Sequence, residues 1–284
     1  MNWIGWSLLM FFSSVALYLL VRKSSILQIP TQICNLAMFL VPFFAYATAT
    51  IITGQNYSLV LWQYGVLIGA GILFSYLGNV ASLRSIEYAP NPGYSLVLSK
   101  SYVVFTTIFS VIFFSSPLTV QKALAILLII FFSALIMINR GKVKQSKAIW
   151  LPLAFVAFFC WGLLTLTSRF LYSNGVPTLV FLTMISLVVT PCILIEIKNR
   201  KVDLSAIRRY PWIFFSIGAL SAAFNLGLMQ AVNIAPNPGY VNAVNAASIS
   251  LVAIMAVILF KDEFSIRKLI GVLGVVCGLI LLLI

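Results

Sequence analysis

Residues 85–100 read Ser-Ile-Glu-Tyr-Ala-Pro-Asn-Pro-Gly-Tyr-Ser-Leu-Val-Leu-Ser-Lys. Six of them, Ala89-Pro90-Asn91-Pro92-Gly93-Tyr94, return unchanged 146 residues later as Ala235-Pro236-Asn237-Pro238-Gly239-Tyr240. That offset is close to half of the 284-residue chain, so the sequence is two copies of one unit. How the copies are related then bears on what the chain does.

With 62% hydrophobic residues, 8% charged and a mean hydropathy of +1.10, the chain has more apolar surface than a soluble core of this length could shelter. It belongs in a bilayer. Basic residues outnumber acidic ones by 18 to 5, but they sit mostly in joints between apolar stretches and form no groove with interleaved aromatics. They read as topology determinants facing anionic headgroups, which excludes nucleic acid as a partner. Cys34, Cys160, Cys192 and Cys277 fall inside apolar stretches, no pair has CxxC spacing and the chain has no His. No metal site and no cofactor are expected, and the cysteines read as buried free thiols. The first apolar stretch is followed, not preceded, by Arg22-Lys23, the reverse of a cleavable signal, so it is expected to remain as a span.

A spanning helix needs about 20 mostly apolar residues. Ten stretches qualify, at about 3–21, 31–53, 59–84, 92–114, 120–138, 149–171, 177–197, 211–231, 238–260 and 266–284. The expected fold is an all-α membrane protein with residues 1–138 as a first five-helix repeat, 139–148 as a basic loop and 149–284 as a second repeat. Five spans per copy is an odd number, so the second copy enters the membrane inverted, a plan that puts a substrate site near the midplane of many secondary transporters. Basic residues crowd the joints after spans 1, 5, 7 and 9, which predicts that those joints are cytoplasmic and both termini outside.

Two motifs and one joint then resemble the drug/metabolite transporter superfamily, in particular its ten-span EamA-type members. Cys160-Trp161-Gly162 with Arg169 downstream resembles the Trp-Gly and basic residue of the helix that opens the family's repeat. Glu263, Ile270-Gly271 and Gly278 resemble its closing Glu…Ile-Gly…Gly pattern, and Ser85–Leu98 resembles its joint between helices 3 and 4. The first copy departs from the pattern, with Val15-Ala16 where Trp-Gly would stand and Pro117 where the second copy has Glu263. The resemblance implies a carrier that moves a small organic molecule by alternating access, with helices 3, 4, 8 and 9 lining the path.

Lys100 is the most informative single residue. It lies eight positions beyond Pro92, roughly 12 Å along a helix at ~1.5 Å per residue and so near the middle of a ~30 Å hydrocarbon layer. A cation at that depth costs several kcal/mol unless it faces water, a partner or a ligand. No carboxylate lies at comparable depth in any span. Two readings stand: Lys100 snorkels or lies neutral in the bundle, or it faces a wet cavity and attracts an anionic or carboxylate-bearing substrate, amino-acid-like molecules among them. Its counterpart is Ala246, flanked by Asn242 and Asn245, which share a helix face as inter-helix bridges or as substrate contacts. The repeat mates Asn79 and Asn225 are weaker candidates of the same kind. Tyr94 and Tyr240 are either parts of a duplicated tight joint or substrate-contacting gates, and Arg84 and Glu87, three apart, are an interfacial salt bridge or a gate contact. Arg169 and Glu196 are expected to reach the headgroups, and Gly274 with Gly278 to form a packing seam.

An intramembrane enzyme would need a nucleophile–base pair or metal ligands at depth, which the sequence does not offer. The expected function is transport of a small organic metabolite in the cell (inner) membrane, by a monomer or homodimer in the lipid bilayer, through facilitated diffusion or exchange. The alternative is a proton-coupled multidrug or metabolite exporter. It is disfavoured because Glu87, Glu196, Asp203, Asp262 and Glu263 all sit at span ends or in joints.

Overall fold

The computed structural model describes residues 1–89, 92–137, 148–260 and 265–284, and of Glu87, Pro92 and Gly93 the backbone alone. The described residues are helical, without strands. Ten helical stretches are long and apolar enough to cross a membrane. Spans 1 and 2 are Trp3–Ile26 and Thr31–Ile52. Span 3 runs from Leu61–Gly69 through a π segment, Ala70–Tyr76, into Leu77–Tyr88. Span 4 is Pro92–Lys100 followed by Tyr102–Phe114, and span 5 is Val120–Met137. Spans 6 to 10 are Trp150–Ser173, Thr178–Asn199, Pro211–Ile234, Pro238–Phe260 and Ile266–Leu283. The basic loop expected at 139–148 and the family motif's Glu263 lie mostly outside the described residues.

Local chemistry explains the boundaries. Asn2 accepts from the Gly5 N–H at 2.9 Å and caps span 1, and Ser265 accepts from the Lys268 N–H to cap span 10. Pro30 and Pro177 precede spans 2 and 7, while Pro211 and Pro238 occupy first helical positions, where the missing N–H costs nothing. The repeat is visible in the turns. Span 1 ends with Gln28 at φ +57° and span 6 with Gly175 at φ +82°, and the equivalent residues after spans 2 and 7 are Gly54 at +63° and Lys201 at +50°. Each turn closes with the same bond to a carbonyl five residues back: Ile29 to Ser24, Val176 to Leu171, Gln55 to Thr50 and Val202 to Ile197. These mates are 147 residues apart, one more than the Pro-Asn-Pro-Gly strings.

In the joint after span 7, Asp203 accepts from the Ser205 hydroxyl and, at 2.8 Å, from its N–H. Those bonds hold its carboxyl below the usual carboxylate range. They also start a one-turn helix, Ser205–Arg209, inside what the sequence reads as a plain loop.

The chain forms two compact units, each drawing on both copies. The first comprises Met1–Tyr76 and Thr167–Asn233. Within it the mates span 2 and span 7 pack together, and the hydroxyl of Thr50, near the end of span 2, lies 3.4 Å from that of Thr183, near the start of span 7. The pair is therefore antiparallel. Tyr46 donates to the Ala222 carbonyl at 2.8 Å and Ser221 to that of Met38 at 3.0 Å, fastening span 2 to span 8. Arg169, expected at the headgroups, instead donates to the carbonyls of Val232 and Asn233, which the end of span 8 would otherwise leave unsatisfied. Glu196 pairs with Arg200 at 3.0 Å along its own helix.

The second unit comprises Leu77–Leu166 and Ile234–Ile284. Its mates, spans 5 and 10, also pack antiparallel. Lys122 and Gln121, at the start of span 5, donate to the Leu282 and Leu281 carbonyls at the end of span 10. At the other end, Gly271 faces Ile136. A Cβ on Gly274 would fall 2.1 Å from the Phe132 ring and one on Gly278 2.8 Å from Ile129, so the expected glycine seam is an internal one. Large apolar side chains such as Phe113, Phe131 and Leu273 remain exposed, as they would toward lipid.

Candidate functional site

The site lies in the second unit, where spans 4, 5, 6 and 9 supply its side chains. Span 4 is interrupted at Ser101, whose hydroxyl donates to the Val97 carbonyl at 2.8 Å while Val104 bonds back only three residues, to the Ser101 carbonyl. A serine that bonds back to its own helix loosens the regular ladder and bends it. Span 9 has Ala246 and Ala247 at the equivalent places and runs unbroken from Pro238 to Phe260. The break thus accompanies Lys100 and belongs to one copy alone.

At that break the Lys100 ammonium lies 4.9 Å from the centre of the Trp161 ring, a cation–π contact from span 4 to span 6. Tyr102 meets the same indole edge-on at 6.0 Å. Its hydroxyl is 3.4 Å from Asn242 Oδ1, and Asn242 Nδ2 lies 3.1 Å from the Thr106 hydroxyl and 3.4 Å from that of Thr165. Thr165 donates in turn to the Trp161 carbonyl at 3.0 Å. Three spans are joined through one buried amide. Asn245 is also buried, and its Oδ1 has no hydrogen-bond partner among the described residues.

Close approach of spans 4 and 9 makes this network possible. A Cβ on Gly239 would lie 1.9 Å from Thr107 Oγ1, so glycine is required where span 9 begins. Gly162 similarly admits the Phe105 ring of span 4 against span 6. Beside Lys100 a crevice is lined by Val97, Ser101, Ile130, Ser133, Met137 and Ala246. At about 10 Å³ it has room for a single water molecule.

The remaining sequence candidates fall elsewhere. Tyr240 is buried and donates to the Pro117 carbonyl at 2.6 Å, fastening span 9 to the joint after span 4, whereas Tyr94 is 43% exposed. Mates in the sequence are unlike in environment. Asn225, in the first unit, donates to the Ser221 carbonyl of its own helix at 2.9 Å. Asn79, in the second, is half-buried. Arg84 is exposed, and the Glu87 side chain with which it was expected to pair lies outside the described residues.

Sequence reasoning did not select Trp161, Tyr102, Thr106, Thr165 or Ser133 as site residues. A signal existed for four of them: Tyr102/Thr106 and Trp161/Thr165 are each four apart, so each pair forms a polar-aromatic stripe on one helix face. Ser133 is a lone serine in an apolar span and carries no such mark.

Three comparisons bear on this arrangement. A family model described as the EamA-like transporter family matches residues 148–284. The comparison with curated proteins found no match. Among solved structures, a crystal structure of a protein is 14% identical over 99% of this chain and 98% of that chain, with a TM-score of 0.77. At that identity the likeness is one of fold.

Proposed function

Because this chain is a multi-pass membrane transporter of the EamA-like family, matched over residues 148–284, we propose that it moves a small organic anion by alternating access, with the Lys100 ammonium attracting the substrate. An amino-acid-like metabolite fits this reading. The supporting observation is the placement of Lys100: its ammonium rests on the Trp161 face, inside a bundle of apolar spans and at the edge of a crevice. Holding a cation there costs several kcal/mol. An indole face offsets part of that cost, on the order of 1–2 kcal/mol in a desolvated site. An arriving anion adds a charge pairing that an uncharged molecule lacks, and that makes the site selective for negative charge.

Spans 4 and 9 line the path, with Asn242 and Asn245 as polar contacts, Tyr94 and Tyr240 near the span starts, and Asn79 on span 3 as a further contact. Antiparallel pairing of repeat mates supports alternating access, since two inverted copies can exchange conformations and so expose one site to either side. The carrier works in the cell (inner) membrane, with its basic joints cytoplasmic, as a monomer or homodimer. It runs by facilitated diffusion or exchange, so uptake into proteoliposomes persists when no proton gradient is imposed. The decisive experiment is uptake of radiolabelled organic acids by Lys100→Ala and Lys100→Gln proteins. Both should lose at least about tenfold in rate, the loss of one charge-assisted contact. Normal rates and unchanged selectivity in both would end this reading.

A further inference from the structure

Lys23 lies in the last turn of span 1, and Arg208 and Arg209 close the one-turn helix in front of span 8. All three belong to the first unit and are exposed. The two acids of that unit are engaged elsewhere: Glu196 accepts from Arg200 and Tyr76, and Asp203 accepts from Ser205 with both oxygens. Aromatic faces take the place of carboxylates. The Lys23 ammonium lies 4.8 Å from the centre of the Trp212 ring, and the Arg209 guanidinium 5.3 Å from that of Tyr210. A cation resting on a ring still has N–H groups to offer an anion on its open side. Spans 1 and 8 run antiparallel, since Gly227 near the end of span 8 admits the backbone of Trp6 and Met10, whereas Lys23 meets Trp212 at its start. The lysine is thereby brought to the segment that carries both arginines.

We propose that this corner of the first unit binds one anionic phospholipid, with its phosphate diester between Lys23 and the Arg208–Arg209 pair and an acyl chain along span 8. The apolar half of the site points to a lipid rather than a free anion. Trp212, Phe215 and Ala219 follow one another at spacings of three and four, so they share one helix face, and all three are exposed. That strip starts in the first turn of span 8, at the level where an indole sits among headgroups, and leads inward toward the hydrocarbon. Guanidinium groups match phosphate oxygens as forks, and the ammonium adds a third charge. A headgroup without an amine keeps its net negative charge, whereas choline carries a cation of its own that these three residues repel. All basic joints attract an anionic leaflet; here the cations stand beside an apolar strip that can hold the rest of the molecule. A bound lipid would fasten the end of span 1 to the start of span 8.

The test titrates the whole protein, in detergent micelles, with phosphatidylglycerol or phosphatidylcholine whose acyl chains carry bromine. Bromine in contact with an indole quenches its fluorescence, and the part of the quenching that Trp212→Phe removes reports on this site. Phosphatidylglycerol should produce that component at a concentration at least about tenfold below phosphatidylcholine, the value of one charge-assisted contact. Arg208→Gln with Arg209→Gln should raise the concentration needed by about tenfold or more, and Lys23→Gln should raise it in the same direction. Lys198→Gln with Lys201→Gln removes equal charge from the same joint and should leave the titration within about twofold of wild type. Thermal midpoints in phosphatidylcholine alone confirm that each variant is folded. Equal weakening by the two double variants would mean general attraction to negative charge and would overturn the site, as would equal binding of the two lipids. Displacement of phosphatidylglycerol by millimolar inorganic phosphate would assign the cations to a free anion and also defeat the proposal.

Discussion

Replacing Gly274 with alanine tests the seam that holds span 5 in place. A Cβ at this position would lie 2.1, 2.2 and 2.3 Å from three atoms of the Phe132 ring, where an ordinary contact is 3.4 Å or more. Relief requires the ring or span 10 to move by more than an ångström. The atoms struck are at the base of the ring, so rotation about the ring axis does not clear them. Overpacking of this kind costs about 1–3 kcal/mol. It also displaces span 5 just where Ser133 follows Phe132. Stability is read from reversible unfolding in mixed micelles, for Gly274→Ala, Phe132→Ala and the double variant. Removing the ring removes the clash, so the double variant should be more stable than the sum of the single losses predicts, with a coupling of about 1 kcal/mol or more. Additive losses, or a Gly274→Ala protein within about 0.5 kcal/mol of wild type, would refute the antiparallel register of spans 5 and 10.

The turns and the buried network make further predictions. Gln28 adopts φ +57° where its mate is Gly175, so Gln28→Gly should stabilise by up to about 1 kcal/mol and Gly175→Gln should destabilise by about 1–2 kcal/mol, both measured as shifts in the thermal midpoint. Arg169→Met strips the Val232 and Asn233 carbonyls of their donor and should cost about 1–3 kcal/mol, with Arg169→Lys recovering part of it. Asn242→Leu breaks polar contacts among spans 4, 6 and 9. At about 0.6 kcal/mol each in a membrane protein, its loss of stability should total about 1–2 kcal/mol. Thr106 and Thr165 keep their bonds to backbone carbonyls in that variant, so a loss beyond about 4 kcal/mol would mean that the network holds more than these bonds.

Every span was legible in the sequence to within a few residues. A membrane helix satisfies its backbone internally, so an apolar run of sufficient length bounded by Pro, Gly or charge settles its existence without reference to neighbours. Two local features escaped that logic. The π segment at Ala70–Tyr76 places Gly71 where a Cβ would meet Val188 at 2.7 Å. The break at Ser101 depends on one hydroxyl bonding back to Val97. Both are one-residue adjustments made for packing, and an apolar run reads the same with or without them. Lys100 was legible as a depth anomaly, because its cost can be computed from position alone, but its contact with Trp161 could not be inferred from chain position.

Taken by itself, the sequence determined that the chain is two related sets of five helices, and that a single lysine sits far inside one of them. Only the tertiary structure decided which helices share a unit. Spans 2 and 7 come together in one and spans 5 and 10 in the other, so each unit mixes the two copies. It also decided that Ser133 shares a crevice with that lysine. The physical reason is that lipid tails and helix faces are equally apolar, so hydrophobicity drives helices into the bilayer but does not choose their partners. That choice rests on small residues that let particular faces approach, and glycine, alanine and serine recur on too many faces of this chain for spacing alone to select the pair.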